Sequence, residues 1–325
     1  MHEPGRTAEL DHEKDKRKAI VLRQLYKTTI LSIKEYRNSN PLQLASSTAF
    51  FTLFALPPIL IILISVLGII VKPDMLRGEL FSKLSAVLGD KSTETVNMIF
   101  RNFRALAGDP LRSILGFLFL TFVATTLMSL IKRSINQLWH LKVREGATIR
   151  EILAGRGLSF LVVLISGLLF LLSLVSDTFL AFLGSRLHAL FPGKDVFFIK
   201  TINFLFSVLS ITGWFGIIFK LLPNARIAWK PALVGGFCTA LLFTLGKFIL
   251  GRVLIRSDIG SVFGTSASVI VLLLFIFYSS LIFYYGAVFT KNYAAAIGRP
   301  VRAARQSVKF KIIEIEESNS PVSKH

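Results

Sequence analysis

The chain has 325 residues, of which 53% are hydrophobic and only 18% are charged, and its mean hydropathy is +0.62. Soluble domains carry about a quarter charged residues, so this composition excludes an ordinary soluble protein and predicts a membrane protein. The formal net charge of +19 comes from 38 lysines and arginines against 19 acids. In a membrane protein such an excess orients the chain and attracts anionic headgroups, which we favour over binding of nucleic acid.

Residues 1–43 form a polar arm that precedes the first apolar run. Apolar and basic residues alternate in it at a helical spacing: Ile20, Leu25, Ile30 and Ile33 among Arg23, Lys27, Lys34 and Arg37. This pattern is typical of an amphipathic helix that lies on the membrane surface. The apolar run that follows is too long for the core of a cleavable signal peptide, so we expect an uncleaved anchor.

Six segments are apolar enough to cross a bilayer, since a spanning helix needs about 20 such residues. In chain order they cover residues 44–71, 114–131, 157–184, 201–219, 231–255 and 269–289. The predicted fold class is therefore all-α, a polytopic membrane protein with six transmembrane helices over residues 44–289 and a tail over residues 290–325.

The loop over residues 72–113 is the longest predicted loop on the outer side. Its stretches MLRGELFSKLSAVLG and TVNMIFRNFRALAG repeat apolar residues at a helical period and each predict a short amphipathic helix. We expect these helices to pack at the membrane interface over the ends of the spans. A lid that moves is the alternative.

Lysines and arginines are unevenly divided between the two sides that six spans define. The side with both termini carries 25 of them and the other side carries 12, while Lys247 lies within a span. Basic residues near spans stay on the cytoplasmic side, so we expect both termini in the cytoplasm.

Groups that could form a catalytic or metal site are sparse. The five histidines show no metal-ligand spacing, and the sequence contains no carboxylate pair within a span, no phosphate-binding glycine loop and no nucleophile elbow. The single cysteine, Cys238, allows neither an intrachain disulfide nor a cysteine-based zinc site. We therefore predict no catalytic residue, no metal and no cofactor.

The charges of the fifth span suggest a substrate-binding site. Lys247 lies about 25 Å along its span and Asp177 about 31 Å along the third, both from the cytoplasmic side. Each is thus expected near the outer boundary, where snorkelling to the headgroups would explain either one alone. We predict instead that Lys247 faces the bundle interior near its outer end, where it either pairs with Asp177 or joins Arg252 and Arg256 in a basic wall for an anionic group.

Several prolines and glycines are candidate hinges or close helix contacts: Pro57, Pro58, Pro223, Gly235, Gly236, Gly246, Gly264 and Gly286. Proline removes a backbone hydrogen bond, and glycine lets two helix backbones approach each other. We expect the tightest helix contact around Gly235 and Gly236.

Four stretches resemble the YihY/virulence factor BrkB family over about residues 25–295: ASSTAFFTLFALPPILIILISVLG, SINQLWHLK, LLPNARIAWKPALVGGFCTALLFTLGKF and IGSVFGTSASVIVLLLFIFYSSLIFYYGAVF. Asn136 and Trp139 match the family's Asn-x-x-Trp motif. The chain departs from the family at Val288, where a glutamate is usual, and at Phe275 and Phe277, where tryptophan and tyrosine are usual. The resemblance implies six helical spans and a location in the bacterial inner membrane.

The family carries two functional labels, ribonuclease and virulence factor, and the resemblance does not decide between them. The scarcity of catalytic groups speaks against a ribonuclease. A polytopic bundle with broken helices, glycines beside a buried lysine and a basic patch favours transport or flipping of an anionic lipid or amphiphile. A membrane-bound ribonuclease and a non-transporting accessory or virulence factor of the envelope are the alternatives, and the oligomeric state is left open.

Overall fold

The structure is a computed structural model, and it describes residues 23–67, 77–78, 80–82, 84–85, 90–105, 110–144, 195–256, 266–305 and 307–311. Most of these residues are helical. The long helices are α1 (Pro41–Leu67), α2 (Asp90–Ala105), α3 (Pro110–Leu138), α4 (Asp195–Leu221), α5 (Trp229–Arg256) and α6 (Ala267–Ala296). Residues 23–37 form a further helix, which we call the arm helix.

Four short strands lie at one end of the helices: β1 (Leu141–Val143), β2 (Ala225–Arg226), β3 (Arg302–Ala303) and β4 (Ser307–Lys309). β1 pairs with β4 and β2 pairs with β3, both antiparallel. The tail therefore pairs both with the segment after α3 and with the segment after α4. The sequence predicted the helices but not these strands, because two or three residues are too few for an alternating pattern.

Three of the described helices are long and apolar enough to cross a membrane: Phe204–Leu221 within α4, Trp229–Leu250 within α5, and α6. Residues Pro41–Leu56 of α1 form a shorter apolar helix. A helix suits hydrocarbon because it satisfies its own backbone hydrogen bonds. The protein is thus a helical membrane protein. Six spans stay a prediction, since the third predicted span, residues 157–184, lies outside the described residues.

The described helices pack in a continuous series. α5 lies between α4 and α6, α6 also contacts α1, and α1 contacts α3. The main core includes Trp139, Phe219 and Tyr284, each almost completely buried. This core lies beside the four strands, at the end of the bundle where α6 ends.

The predicted outer loop contains the second of its two expected helices, α2, which packs over the end of the bundle opposite the strands. Its buried residues Val96 and Phe100 contact Ala49 of α1 and Leu272 of α6 in a second apolar cluster. Thr95 Oγ1 lies 2.8 Å from Ser268 Oγ at the start of α6. The first predicted loop helix is described only in part, over residues 77–85, and its Leu80 is buried in the same cluster.

Two of the predicted hinge prolines lie within a helix, and the third lies after the end of one. α1 is helical through Pro57 and Pro58, so the expected kink stays a prediction. Pro223 instead lies in the turn directly after α4, where its ring helps to end the helix. At the end of α6, Gly298 has a φ of +72° and supplies the left-handed residue that often follows a helix.

Candidate functional site

α5 and α6 meet through two glycine–threonine pairs, Gly235 with Thr290 and Gly286 with Thr239, which we call the α5–α6 seam. A methyl group added at Gly235 would lie 1.8 Å from Thr290 Oγ1, and one at Gly286 would lie 1.9 Å from Thr239 Oγ1. Each threonine hydroxyl donates to the glycine carbonyl four residues earlier in its own helix, at 2.7 Å. The hydroxyls are therefore satisfied without water, and each helix places a threonine directly against the other's glycine.

At Gly236, the contact between α4 and α5 is made by backbone atoms. A methyl group added at Gly236 would lie 2.6 Å from Thr212 O and 2.7 Å from Gly216 N, both on α4. The two adjacent glycines thus allow close approach of two neighbouring helices: Gly235 allows α6 to approach α5, and Gly236 allows α4 to do so. This geometry explains why two consecutive glycines occur in a helix that would otherwise be weakened by them.

Further along α5, Gly246 and Lys247 occupy different environments. Gly246 is buried, and a methyl group there would lie 0.8 Å from the Tyr278 hydroxyl oxygen of α6. Lys247 is exposed. It follows Gly236 by eleven residues, close to three full turns, so its side chain leaves the helix on the side that faces α4.

Of the other predicted substrate-binding residues, Arg252 has a described side chain, and it does not lie beside Lys247. The Arg252 guanidinium is exposed and lies 4.3 Å from the centre of the Phe248 ring, a cation–π contact. Five residues turn an α-helix by about 140° beyond a full turn, so Lys247 and Arg252 leave α5 on different sides and form no common basic wall. Asp177, Gly264 and the side chain of Arg256 lie outside the described residues, so the pairing of Asp177 with Lys247 stays a prediction.

A polar junction formed by Ser32, Glu35, His140, Lys291 and Asn292 lies at the strand end of α6. The Lys291 ammonium donates to the Glu35 carboxylate and, at 2.9 Å, to the Leu138 carbonyl. Asn292 Nδ2 donates to the other Glu35 oxygen at 2.9 Å and to Ser32 Oγ at 3.2 Å. The junction therefore joins the arm helix, the end of α3 and α6, which are far apart in the sequence.

His140 completes the polar junction. Its Nδ1 lies 3.3 Å from Lys291 Nζ and 3.9 Å from Glu35 Oε1. Partial burial, and secondly the Lys291 charge, lower the pKa of the imidazole, while the Glu35 charge opposes them. A neutral imidazole with an unprotonated Nδ1 can accept the lysine hydrogen bond, so the junction favours this form.

Asn136 and Trp139, which match the family motif, hold the loops to the helices. Asn136 Oδ1 accepts a hydrogen bond of 2.9 Å from the backbone N–H of Asn224, directly after Pro223. Trp139 Nε1 donates to the Ala287 carbonyl of α6 at 2.8 Å, and its ring is buried. Both residues therefore have a structural explanation that requires no ligand.

Sequence reasoning missed several residues that organise these contacts. Glu35, Lys291, Thr239, Thr290 and Tyr278 were not singled out as site residues. The spacing Gly-x-x-x-Thr occurs in both the fifth and the sixth span and could have indicated a small-residue face on each. The structure also places Val288 in the core, completely buried, at the position where the family resemblance led us to expect a glutamate.

The described part of the chain contains no group of three or more His, Cys, Asp or Glu side chains that could hold a metal ion. The chemistry available there is hydrogen bonding, a lysine–glutamate pair and basic side chains beside apolar surface. Basic side chains beside apolar surface suit binding of an anion.

Comparison with known proteins places the chain among bacterial membrane proteins. The family model for virulence factor BrkB matches residues 32–309. The chain is similar to a UPF0761 membrane protein of Pseudomonas aeruginosa PAO1, with 28% identity over 78% of this chain and 59% of the relative. It is also similar to the UPF0761 membrane protein of Pseudoalteromonas atlantica, with 27% identity over 62% of this chain and 64% of the relative. No solved structure matches the chain significantly.

These relatives are longer than the region they share with this chain. The chain spans about three fifths of the length of the Pseudomonas relatives, 59%. The names of these relatives state only that they are membrane proteins.

Proposed function

Because the chain belongs to the virulence factor BrkB family of membrane proteins, we propose that it moves an anionic lipid or a similar anionic amphiphile of the cell envelope across the bacterial inner membrane. Lys247 is the residue that we expect to contact the anionic headgroup. The termini are then cytoplasmic, as the distribution of basic residues predicts.

One observation carries this proposal: Lys247 lies within an apolar spanning helix, is exposed, and has no hydrogen bond or ion pair to any of the described residues. A lysine in the centre of a spanning helix costs about 2.5–3.5 kcal/mol on insertion scales, less near a boundary. A cation retained at such a cost without a partner among the described residues is suited to an anionic ligand. Its position on the α4-facing side of α5 would direct the ligand between two helices.

Two further residues define alternatives for the same position. Asp177 is the predicted partner of Lys247. If the two residues pair, an anionic headgroup would have to displace the Asp177 carboxylate in order to contact the lysine. Arg252 lies at the end of α5 on a different side, where its contact with Phe248 suits a side chain that reaches the headgroup layer. The proposal therefore assigns headgroup binding to Lys247 and not to Arg252.

The test is a flipping assay with the purified full-length protein in liposomes. Fluorescent phosphatidylglycerol and fluorescent phosphatidylcholine are incorporated, and the fraction reduced by external dithionite is followed with time. We expect faster exchange of phosphatidylglycerol than in empty liposomes, a loss of at least tenfold with Lys247→Met, and partial activity with Lys247→Arg.

Lys230→Met is the matched control, because Lys230 is an exposed lysine at the other end of the same helix. It should leave the rate unchanged. Equal exchange by wild-type protein and Lys247→Met would refute the role of Lys247. Metal-dependent cleavage of RNA by the purified protein would favour the ribonuclease alternative, and exchange no faster than in empty liposomes for every headgroup would favour an accessory role.

A further inference from the structure

The arm helix presents its polar side to the protein and its apolar side outward. Thr28 and Ser32 are buried, and Ser32 accepts a hydrogen bond from Asn292 of α6. Tyr26, Ile30, Leu31 and Ile33 are exposed, by 67%, 50%, 55% and 48% respectively. An amphipathic helix on a soluble protein has the opposite arrangement, so the outward side of the arm helix is not suited to water alone.

Basic residues line the same outward side. Arg23, Lys27, Lys34 and Arg37 are all exposed, at spacings of four, seven and three residues that keep them close to one face. The acid between residues 23 and 40, Glu35, is turned to Lys291 on the other side of the helix. The outward side is therefore both apolar and purely cationic.

The contacts with α6 keep this side near the membrane boundary. Gln24 and Glu35 lie about 16 Å apart along the arm helix. Gln24 contacts Ala296 and Glu35 contacts Lys291, and these two partners lie about 7.5 Å apart along α6. The arm helix is therefore held against α6 near both of its ends. A turn of three residues connects its end to the apolar helix α1, so Arg37 lies within about 15 Å of the start of α1.

A shallow groove runs along this side and is lined by Ile30, Ile33, Lys34, Arg37 and Asn38. We propose that this groove binds one anionic phospholipid of the leaflet next to the arm, with Lys34 and Arg37 on the headgroup phosphate and Ile30 and Ile33 against the acyl chains. Charge complementarity selects an anionic lipid, because two cations meet one phosphate. The site lies at the end of the bundle opposite Lys247 and is independent of the proposed transport.

The experiment measures lipid binding to the full-length protein in detergent by native mass spectrometry, with phosphatidylglycerol and phosphatidylcholine of the same chain length as probes. Each basic residue near an anionic surface contributes on the order of fivefold in affinity. K34Q/R37Q should therefore weaken binding of phosphatidylglycerol by about thirtyfold. The conservative K34R/R37K variant should retain it, and Ile33→Ser should weaken both lipids equally.

The matched control is R226Q/R302Q, which removes two exposed arginines that face each other in the β2–β3 pair. This variant should bind phosphatidylglycerol within twofold of wild type. Equal losses in K34Q/R37Q and R226Q/R302Q would refute a defined site, because they would show attraction by net charge alone. Equal binding of the two lipids by wild type, or displacement of phosphatidylglycerol by single-stranded RNA, would overturn the lipid assignment.

Thermal unfolding without added lipid separates binding from folding. Because all four substituted residues are exposed, both double variants should unfold at the same temperature. A lower unfolding temperature confined to K34Q/R37Q would assign these residues to folding instead.

Discussion

Gly236 and Gly235 predict two different responses to the same substitution. Alanine is favoured over glycine in a helix by about 1 kcal/mol, whereas overpacking a close contact costs about 1–3 kcal/mol. At Gly236 the added methyl group meets backbone atoms of Thr212 and Gly216, at 2.6 and 2.7 Å, which cannot rotate away. We therefore expect an overpacking cost near the upper end of that range, about 3 kcal/mol, offset by about 1 kcal/mol from the better helix propensity of alanine. Gly236→Ala should then lower the free energy of unfolding by about 2 kcal/mol.

At Gly235 the obstacle is a side chain, Thr290, with Oγ1 at 1.8 Å and Cβ at 2.8 Å. Thr290→Gly removes both atoms and leaves the Thr290 Cα at 3.2 Å. Gly235→Ala should therefore be destabilising in the wild-type background and close to neutral in the Thr290→Gly background. Thr212→Gly should give no such relief to Gly236→Ala, because the Thr212 atom in contact is its carbonyl oxygen.

The assay is reversible unfolding in mixed micelles of a mild detergent and SDS, analysed as double-mutant cycles. Gly213→Ala on α4 is the control, since a methyl group there would meet nothing within 4 Å, and it should be neutral or stabilising by up to about 1 kcal/mol. The reasoning fails if Gly236→Ala is as stable as wild type, or if Thr212→Gly relieves it as fully as Thr290→Gly relieves Gly235→Ala.

Three further predictions follow from the loops and the polar junction. Asn136→Ala leaves the buried Asn224 N–H without its acceptor and should cost about 1–3 kcal/mol, while Asn136→Asp should cost less; equal losses would contradict this. Because the pKa of His140 is lowered on folding, the unfolded state takes up the proton more readily, so stability should fall below about pH 6.5, and His140→Gln should reduce that dependence. Cysteines placed at residues 92 and 318, with Cys238 replaced by serine, should be labelled from outside and from the cytoplasm respectively; the reverse would overturn the topology.

The helical part of the fold could be predicted because the membrane imposes it. Apolar length alone predicted α4, α5 and α6, with ends that differ from those of the helices by one to seven residues. A spanning segment in such a bundle must be helical and about 20 residues long. The helical period of the outer loop likewise predicted α2. These are local properties of the sequence, so a single chain is enough to recognise them.

Contacts between distant parts of the chain could not be predicted in the same way. Glu35 and Lys291 are separated by 256 residues, and no local pattern indicates that they meet. The four short strands form only because the tail packs against the segments after α3 and α4. The spacing Gly-x-x-x-Thr indicates a small-residue face on a helix but not which helix packs against it. The exposure of Lys247 also depends on how far α4 extends beside α5, which its own span does not determine.

The α5–α6 seam restricts the motions that the bundle can make. A shift of α5 along α6 by one residue, about 1.5 Å, would move each threonine off its glycine and towards a residue with a larger side chain, at both pairs simultaneously. Resistance to such shear leaves rotation about the seam, or movement of the helices outside it, as the low-energy deformations. Any alternation of access should therefore keep α5 and α6 in register, so that distances between spin labels on these two helices stay constant while distances from either helix to α1 or α3 change.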